Sequence, residues 1–120
     1  MKLVDVIGYE GLYKISEYGD VYNVKTQCFL KHSLGWYGHH LVTLRKDNKS
    51  KQIAVHRLVA LTFIRSNDID GLVVDHIDAN KDNNHVSNLR WCTQKENVHN
   101  CIAHGNFGKM RKKEDFYIIQ

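Results

Sequence analysis

Residues 75–97, DHIDANKDNNHVSNLRWCTQKEN, follow the apolar run Leu72-Val73-Val74 and decide how this chain is read. The apolar run leads as a strand into Asp75-His76. A segment crowded with Asp78, Asn80, Asp82, Asn83, Asn84 and Asn88 comes next, and such side chains bond their own backbone and tolerate left-handed conformations. A long loop built from them holds a fixed shape. Leu89-Arg90-Trp91-Cys92 reads as a short returning strand. Thr93 to Glu96 then fits a capping box, with Thr93 as N-cap and Glu96 reaching back, so a helix starts there and Asn97 falls in its first turn.

This strand, loop, strand and helix unit brings Asp75 and Asn97 together although they are distant in sequence. A carboxylate and an amide carbonyl are hard oxygen donors, which suit one divalent cation, Mg²⁺ or Mn²⁺, and leave positions for water and phosphate. His76 offers an imidazole, whose unperturbed pKa of about 6.5 suits a general base at neutral pH. Neighbouring residues of a regular strand point to opposite faces, so a shared site requires the strand to end or twist at His76.

Outward from this unit, the first half of the chain reads as strands. LYKIS (12–16) and DVYNV (20–24) flank the turn Glu17-Tyr18-Gly19. HLVTLR (40–45) and QIAVH (52–56) are separated by the polar segment KDNKSK. From Arg57 the apolar period lengthens: Leu58, Leu61 and Thr62, with Val59 and Phe63 beside them, fit a short amphipathic helix ending near Ile64. In the helix after Thr93, Val98 and Ile102 form the expected buried stripe.

The fold class expected is α+β, an N-terminal antiparallel sheet region followed by the strand–loop–strand–helix unit. Residues 1–55 are expected to form the β-rich region, 56–105 the core unit and 106–120 a basic C-terminal arm.

With 120 residues the chain suits one domain, and an apolar share of 42% fills a modest core. It has no apolar run long enough for a membrane span and no signal-like start, so a soluble cytoplasmic protein is expected. Cys28, Cys92 and Cys101 form no C-x-x-C pair, which argues against a disulfide framework or a zinc knuckle. The formal charge of +4 supports a polyanionic partner only mildly. Its placement says more, because Lys109, Arg111, Lys112 and Lys113 cluster near the C-terminus. In the sheet region, Lys14, Lys25, Lys31, Trp36, Tyr37, His39, His40, Arg45 and Lys46 mix cations with aromatic rings, a composition that suits a sheet laid against DNA as well as a solvated face.

The pattern V-D-H-I-D-x-N-K-x-N-N-x-x-x-N-L-R-W-x-T-x-x-E-N (74–97) resembles the HNH endonucleases, in particular the phage and intron-encoded homing type. G-Y-E-G-L-Y-K-I-S-x-Y-G-x-V-Y (8–22) is similar to the modular motif that accompanies such nucleases, and V-H-R-L-V-A-L-T-F-I (55–64) also resembles them. The resemblance implies a ββα-metal fold, one divalent cation and hydrolysis of a phosphodiester in double-stranded DNA. By position it makes His76 the general base, Asp75 and Asn97 the metal ligands, and Asn88 the residue that holds the loop and orients His76 by a hydrogen bond. Arg45, Lys46, Arg57, Arg90 and the C-terminal cluster are the expected DNA contacts.

One such unit holds one cleavage site, so a monomer would nick one strand and a double-strand break would need a dimer or two events. The source implied is a phage or mobile element acting in a bacterial host. The competing readings are a DNA-binding protein that keeps the scaffold without catalysis, and an interaction domain that binds no nucleic acid.

Overall fold

The computed structural model describes residues 2–35, 37–64 and 71–103. Four short strands, β1 (Leu3–Asp5), β2 (Tyr13–Ser16), β3 (Val21–Asn23) and β4 (Cys28–Phe29), pair antiparallel in sequence order. The strands β5 (Ser33–Leu34), β6 (His40–Lys46) and β7 (Lys49–Ala54) make a second sheet. Helix α1 (Val55–Phe63) follows β7 without a loop. The hairpin β8 (Val73–His76) and β9 (Leu89–Cys92) and helix α2 (Gln94–Ala103) complete the chain. The architecture is the expected mixture of antiparallel sheets and helices.

Two local differences from the sequence reading have simple causes. The polar segment after β6 is mostly strand, because the turn is only Asp47-Asn48, both at positive φ. Two successive left-handed residues match the twist of a tight hairpin, so pairing continues down to Lys46 opposite Lys49. Val55 and His56 belong to α1 rather than to the preceding strand, and both are buried.

The core is continuous across the units. Val6 just after β1, Ile15 and Val21 from the first sheet, Val42 and Leu44 from β6, Val55 and Val59 from α1, and Val74 and Leu89 from the hairpin bury together. Alternation along β6 shows the logic: Val42 and Leu44 are buried while Thr43 and Arg45 are exposed. The Trp91 indole donates to the Ile64 carbonyl at 3.0 Å and ties β9 to the end of α1.

The β8–β9 hairpin lies between the two helices. In its register Val74 faces Trp91 and His76 faces Leu89, while Val73 faces Cys92 and Asp75 faces Arg90. The first set shares the core with α1; Asp75, from the second, bonds Asn100 of α2. Among the described residues no helix is long and apolar enough to cross a membrane.

Candidate active site

β8 stays regular through His76, so Asp75 and His76 turn to opposite faces of the hairpin as strand geometry dictates. Asp75 is 3% exposed. Its Oδ2 accepts from Arg90 Nε at 3.0 Å and its Oδ1 from Asn100 Nδ2 at 3.1 Å. Asn100 Nδ2 also donates to the His76 carbonyl at 2.9 Å, which locks α2 across the end of β8. Burial pushes the Asp75 carboxyl above its ordinary value, and the bonds from Arg90 and Asn100 oppose that rise without cancelling it.

The His76 ring enters a different environment. Its Nε2 lies 2.8 Å from Asn84 Oδ1. Two further imidazoles stand beside it: His56, with ring centroids 4.9 Å apart, and His39, at 6.3 Å. His39 and His56 are stacked on one another at 5.2 Å. Burial holds the His76 imidazole below its ordinary value, against the opposing pull of Asn84 and Asp75. Burial drives His39 down further, to about 3, with Lys81 adding to the effect. Both rings are therefore neutral at neutral pH.

Asn88 has a role different in one respect from the expected one. Its Nδ2 donates to Asp78 Oδ1 at 2.8 Å and to the Asn83 carbonyl at 2.9 Å, and its Oδ1 accepts from Asp78 N–H at 3.1 Å. It holds the loop, but the side chain that bonds the His76 imidazole is Asn84. An amide four residues earlier reaches the ring because Asn88 is spent on both ends of the loop. The loop also places Ala79 at a φ of +61°, an uncommon conformation for a residue with a side chain.

Asn97 is in the first turn of α2, set by the capping box. Thr93 Oγ1 accepts from Glu96 N–H at 3.2 Å, and Glu96 Oε1 accepts from Thr93 N–H at 3.0 Å. Asn97 precedes Asn100 by three residues and so shares its face of the helix, the face over Asp75. It is 1% exposed, and its Nδ2 has no hydrogen-bond partner among the described residues. A buried amide N–H₂ without a partner is costly and calls for an acceptor, such as a water or phosphate oxygen, while a cation would be held by the Oδ1 of the same amide. The Asp75 carboxylate spends two of about four acceptor positions on Arg90 and Asn100 and keeps the rest. Among the described residues no group of three or more His, Cys, Asp or Glu gathers as a metal site. This donor set fits a hard cation that retains water and phosphate ligands, and does not fit a closed zinc site.

The expected DNA contacts are spread along the chain. Arg45 and Lys46 are exposed at the tip of β6, where Lys46 Nζ donates to the Gly8 carbonyl at 2.8 Å. The Arg57 guanidinium lies 5.6 Å from the Trp91 ring centre. Arg90 is committed to Asp75 through Nε, with part of its side chain still exposed. Lys109, Arg111, Lys112 and Lys113 lie outside the described residues. His39, grouped in the sequence with the cations of a DNA-facing sheet, is instead buried in the imidazole cluster. Asn84, Asn100 and His56 also belong to the site. Their signal was weak: Asn84 is one of several loop amides, and only a tertiary contact distinguishes it.

Residues 54–99 match the family of HNH endonucleases. The DNA endonuclease I-HmuI of Bacillus phage SP01 is 45% identical over 114 residues, covering 95% of this chain and 65% of that protein. The H-N-H endonuclease F-TflII of Escherichia phage T5 is 39% identical over 85 residues, covering 70% of this chain and 44% of that protein. A solved structure concerned with DNA binding and cleavage by the HNH homing endonuclease I-HmuI superposes with a TM-score of 0.82 at 44% identity, covering 98% of this chain and 66% of that one. The chain thus spans somewhat less than two thirds of the length of these relatives. The ordered loop between β8 and β9, the capped helix behind it and these matches place the chain in the HNH endonuclease family.

Proposed function

We propose that this chain hydrolyses a phosphodiester of double-stranded DNA as a homing-type HNH endonuclease, nicking one strand per active site. The observation that carries the reading is that β8 ends at His76 with Asp75 and His76 both buried: although they face opposite sides of the hairpin, each influences the other's ionisation, and α2, which carries Asn97, is docked on the carboxylate through Asn100. His76, neutral through burial, takes the proton of a water molecule that attacks the phosphorus. Asp75 and Asn97 hold one divalent cation, Mg²⁺ or Mn²⁺. When bound, it supplies positive charge to the scissile phosphate and to the leaving 3′-oxygen. Asn88 keeps the loop in shape through its three bonds to Asp78 and Asn83.

Arg45, Lys46, Arg57 and the exposed part of Arg90 position the DNA backbone, aided by the basic residues of 106–120. The proposed organisation keeps a β-rich DNA-binding region at 1–55, a nuclease unit at 56–105 and a basic arm beyond. The phage relatives support a phage or mobile-element origin and action in the cytoplasm of a bacterial host.

The test is nicking of supercoiled plasmid. The wild-type chain should produce open circles with Mg²⁺ or Mn²⁺ and none with EDTA. His76→Ala should fold and bind DNA without cutting. Cleavage that survives in His76→Ala would remove the general base, and a wild-type chain inert with both metals would remove the nuclease reading.

A further inference from the structure

The loop between β8 and β9 is fastened to the N-terminal sheets at both its middle and its far end. At the far end the Val86 N–H donates to the Glu17 carbonyl at 2.9 Å, and the Tyr18 ring stands edge-on to His85 with centroids 4.5 Å apart. At the middle the fastening runs through two imidazoles. His40 Nε2 of β6 lies 2.7 Å from Asp82 Oδ1, His40 Nδ1 lies 2.9 Å from His32 Nδ1, and His32 Nε2 lies 3.0 Å from the Gly19 carbonyl. Lys81, the neighbour of Asp82, donates from Nζ to the Tyr37 carbonyl at 2.6 Å and adds a tie beside it.

A count of protons decides what this run of bonds requires. The Gly19 carbonyl and the Asp82 carboxylate only accept, so His32 and His40 must each carry a proton on Nε2. The bond between the two Nδ1 atoms needs a further proton of its own. Two neutral imidazoles hold one proton each, so the pair is one short. Without the extra proton, two nitrogen lone pairs face each other across 2.9 Å. Yet another proton has no place, because it would set two N–H groups head to head.

We infer that His32 and His40 share one extra proton and with it form a pH-sensitive clip between the N-terminal sheets and the loop of the nuclease unit. Asp82 faces the positive charge from the loop, and Asp20, just before β3, acts on His32 from the first sheet. Lys81, held by Tyr37, and the neutral ring of His39 are the other titratable groups nearby. Burial holds the His32 imidazole below its ordinary value, which leaves the charge on the side of His40, next to Asp82. When the extra proton leaves, one bond of the run must fail. The bond to Asp82 is the one released, since that side chain is 76% exposed and water replaces the imidazole there. The folded chain binds the proton, so the clip is closed on the acid side and opens as the pH rises. The inference goes beyond the nuclease reading and does not depend on it.

The experiment titrates labelled imidazoles by NMR in the full chain without DNA, from about pH 8 to about pH 5. The signals lost in His32→Gln and His40→Gln identify the two rings. Together they should take up one proton, whereas two independent histidines take up two. In Asp82→Asn the midpoint of that uptake should fall by about 0.5–1 pH unit, a modest shift because the carboxylate is exposed. Amide exchange supplies a second readout. The N–H groups of Asp82 and Asn83 are bonded to the Asn80 side chain and carbonyl. Corrected for intrinsic rate, their protection should drop about twofold to tenfold from the acid to the alkaline end in wild type, and stay level in His32→Gln and His40→Gln.

Uptake of two protons by the pair, or of none, would overturn the inference. So would an unmoved midpoint in Asp82→Asn, or the same pH dependence of protection in wild type and the histidine variants. If one histidine variant fails to fold, the other still identifies its own ring and Asp82→Asn still decides. Because no measurement uses DNA, a wild-type chain that does not nick would count against the nuclease reading alone.

Discussion

Arg90 stands directly across the hairpin from Asp75, and its Nε donates to the buried carboxylate at 3.0 Å. Strand register, rather than any bend in the chain, thus sets the electrostatics of the carboxylate. Adjacent residues of β8 serve two faces: Asp75 meets Arg90 and α2, and His76 meets Asn84 and the imidazoles.

Removing Arg90 should therefore destabilise the fold more than the loss of a surface cation does. In Arg90→Ala the buried Asp75 keeps Asn100 but loses its charged donor, at a cost of about 1–3 kcal/mol, reduced toward the lower end by the solvent around the half-exposed arginine. Asp75 already has a raised carboxyl pKa, and the variant raises it further. A raised carboxyl penalises the folded state above its folded pKa, and acidification relieves the penalty. The gap between wild type and Arg90→Ala in urea unfolding should be widest near neutral pH and narrow as the pH falls. A gap independent of pH would sever the arginine from Asp75.

How far the sequence revealed this site varies by element. The Leu-Val-Val run, the returning strand and the Thr93–Glu96 box have local signatures, so β8, β9 and the start of α2 were readable from residue types alone. β1, β4 and β5 have two or three residues each, too few to display alternation. The capping box located Asn97 because a helix start is a local event. Nothing local separates Asn84 from Asn88; the two differ in that Asn88 spans the loop while Asn84 faces the ring. The imidazole cluster was equally hidden, since His39 precedes β6, His56 lies in α1 and His76 ends β8.

Acid should unfold this protein through its buried histidines. The folded pKa of His39 is about 3 against an ordinary value of 6.5, so the unfolded chain binds the proton first. The stabilisation from a neutral His39 is complete above the unfolded value and is lost progressively as the pH falls from 6.5 toward 3. Each such histidine contributes a slope of up to about 1.4 kcal/mol per pH unit in that window. Urea midpoints measured from pH 7 to pH 4 should fall steeply, and His39→Phe should flatten the curve. An unchanged slope in that variant would mean that another group governs acid unfolding.

The capping box should matter for both stability and cleavage. Thr93→Ala removes the hydroxyl that accepts from Glu96 N–H and leaves that end of α2 open. The expected loss is about 0.5–2 kcal/mol, visible as a lower thermal midpoint. Thr93→Ser keeps the oxygen and should restore most of it. Since Asn97 belongs to the turn that frays, nicking by Thr93→Ala should require more Mg²⁺ for half-maximal rate. Equal Mg²⁺ dependence in the two proteins would show that the cap does not hold the ligand in place.

Asn97 offers the clearest separation of stability from function. Its buried Nδ2 has no partner among the described residues, so the folded state bears a desolvation cost, and the Oδ1 of the same amide is the atom that would hold a cation. Asn97→Leu replaces the amide with an apolar side chain of the same branching and larger volume. In EDTA this variant should stay within about 1–3 kcal/mol of wild type, because loss of the unpaired group offsets part of the cost of tighter packing. With Mg²⁺, wild type should gain stability through ligand binding and Asn97→Leu should not. Nicking should be lost. Equal stabilisation of wild type and Asn97→Leu by Mg²⁺ would instead make Asn97 a structural amide, and the carboxylate of Asp75 would then need another oxygen ligand beside it.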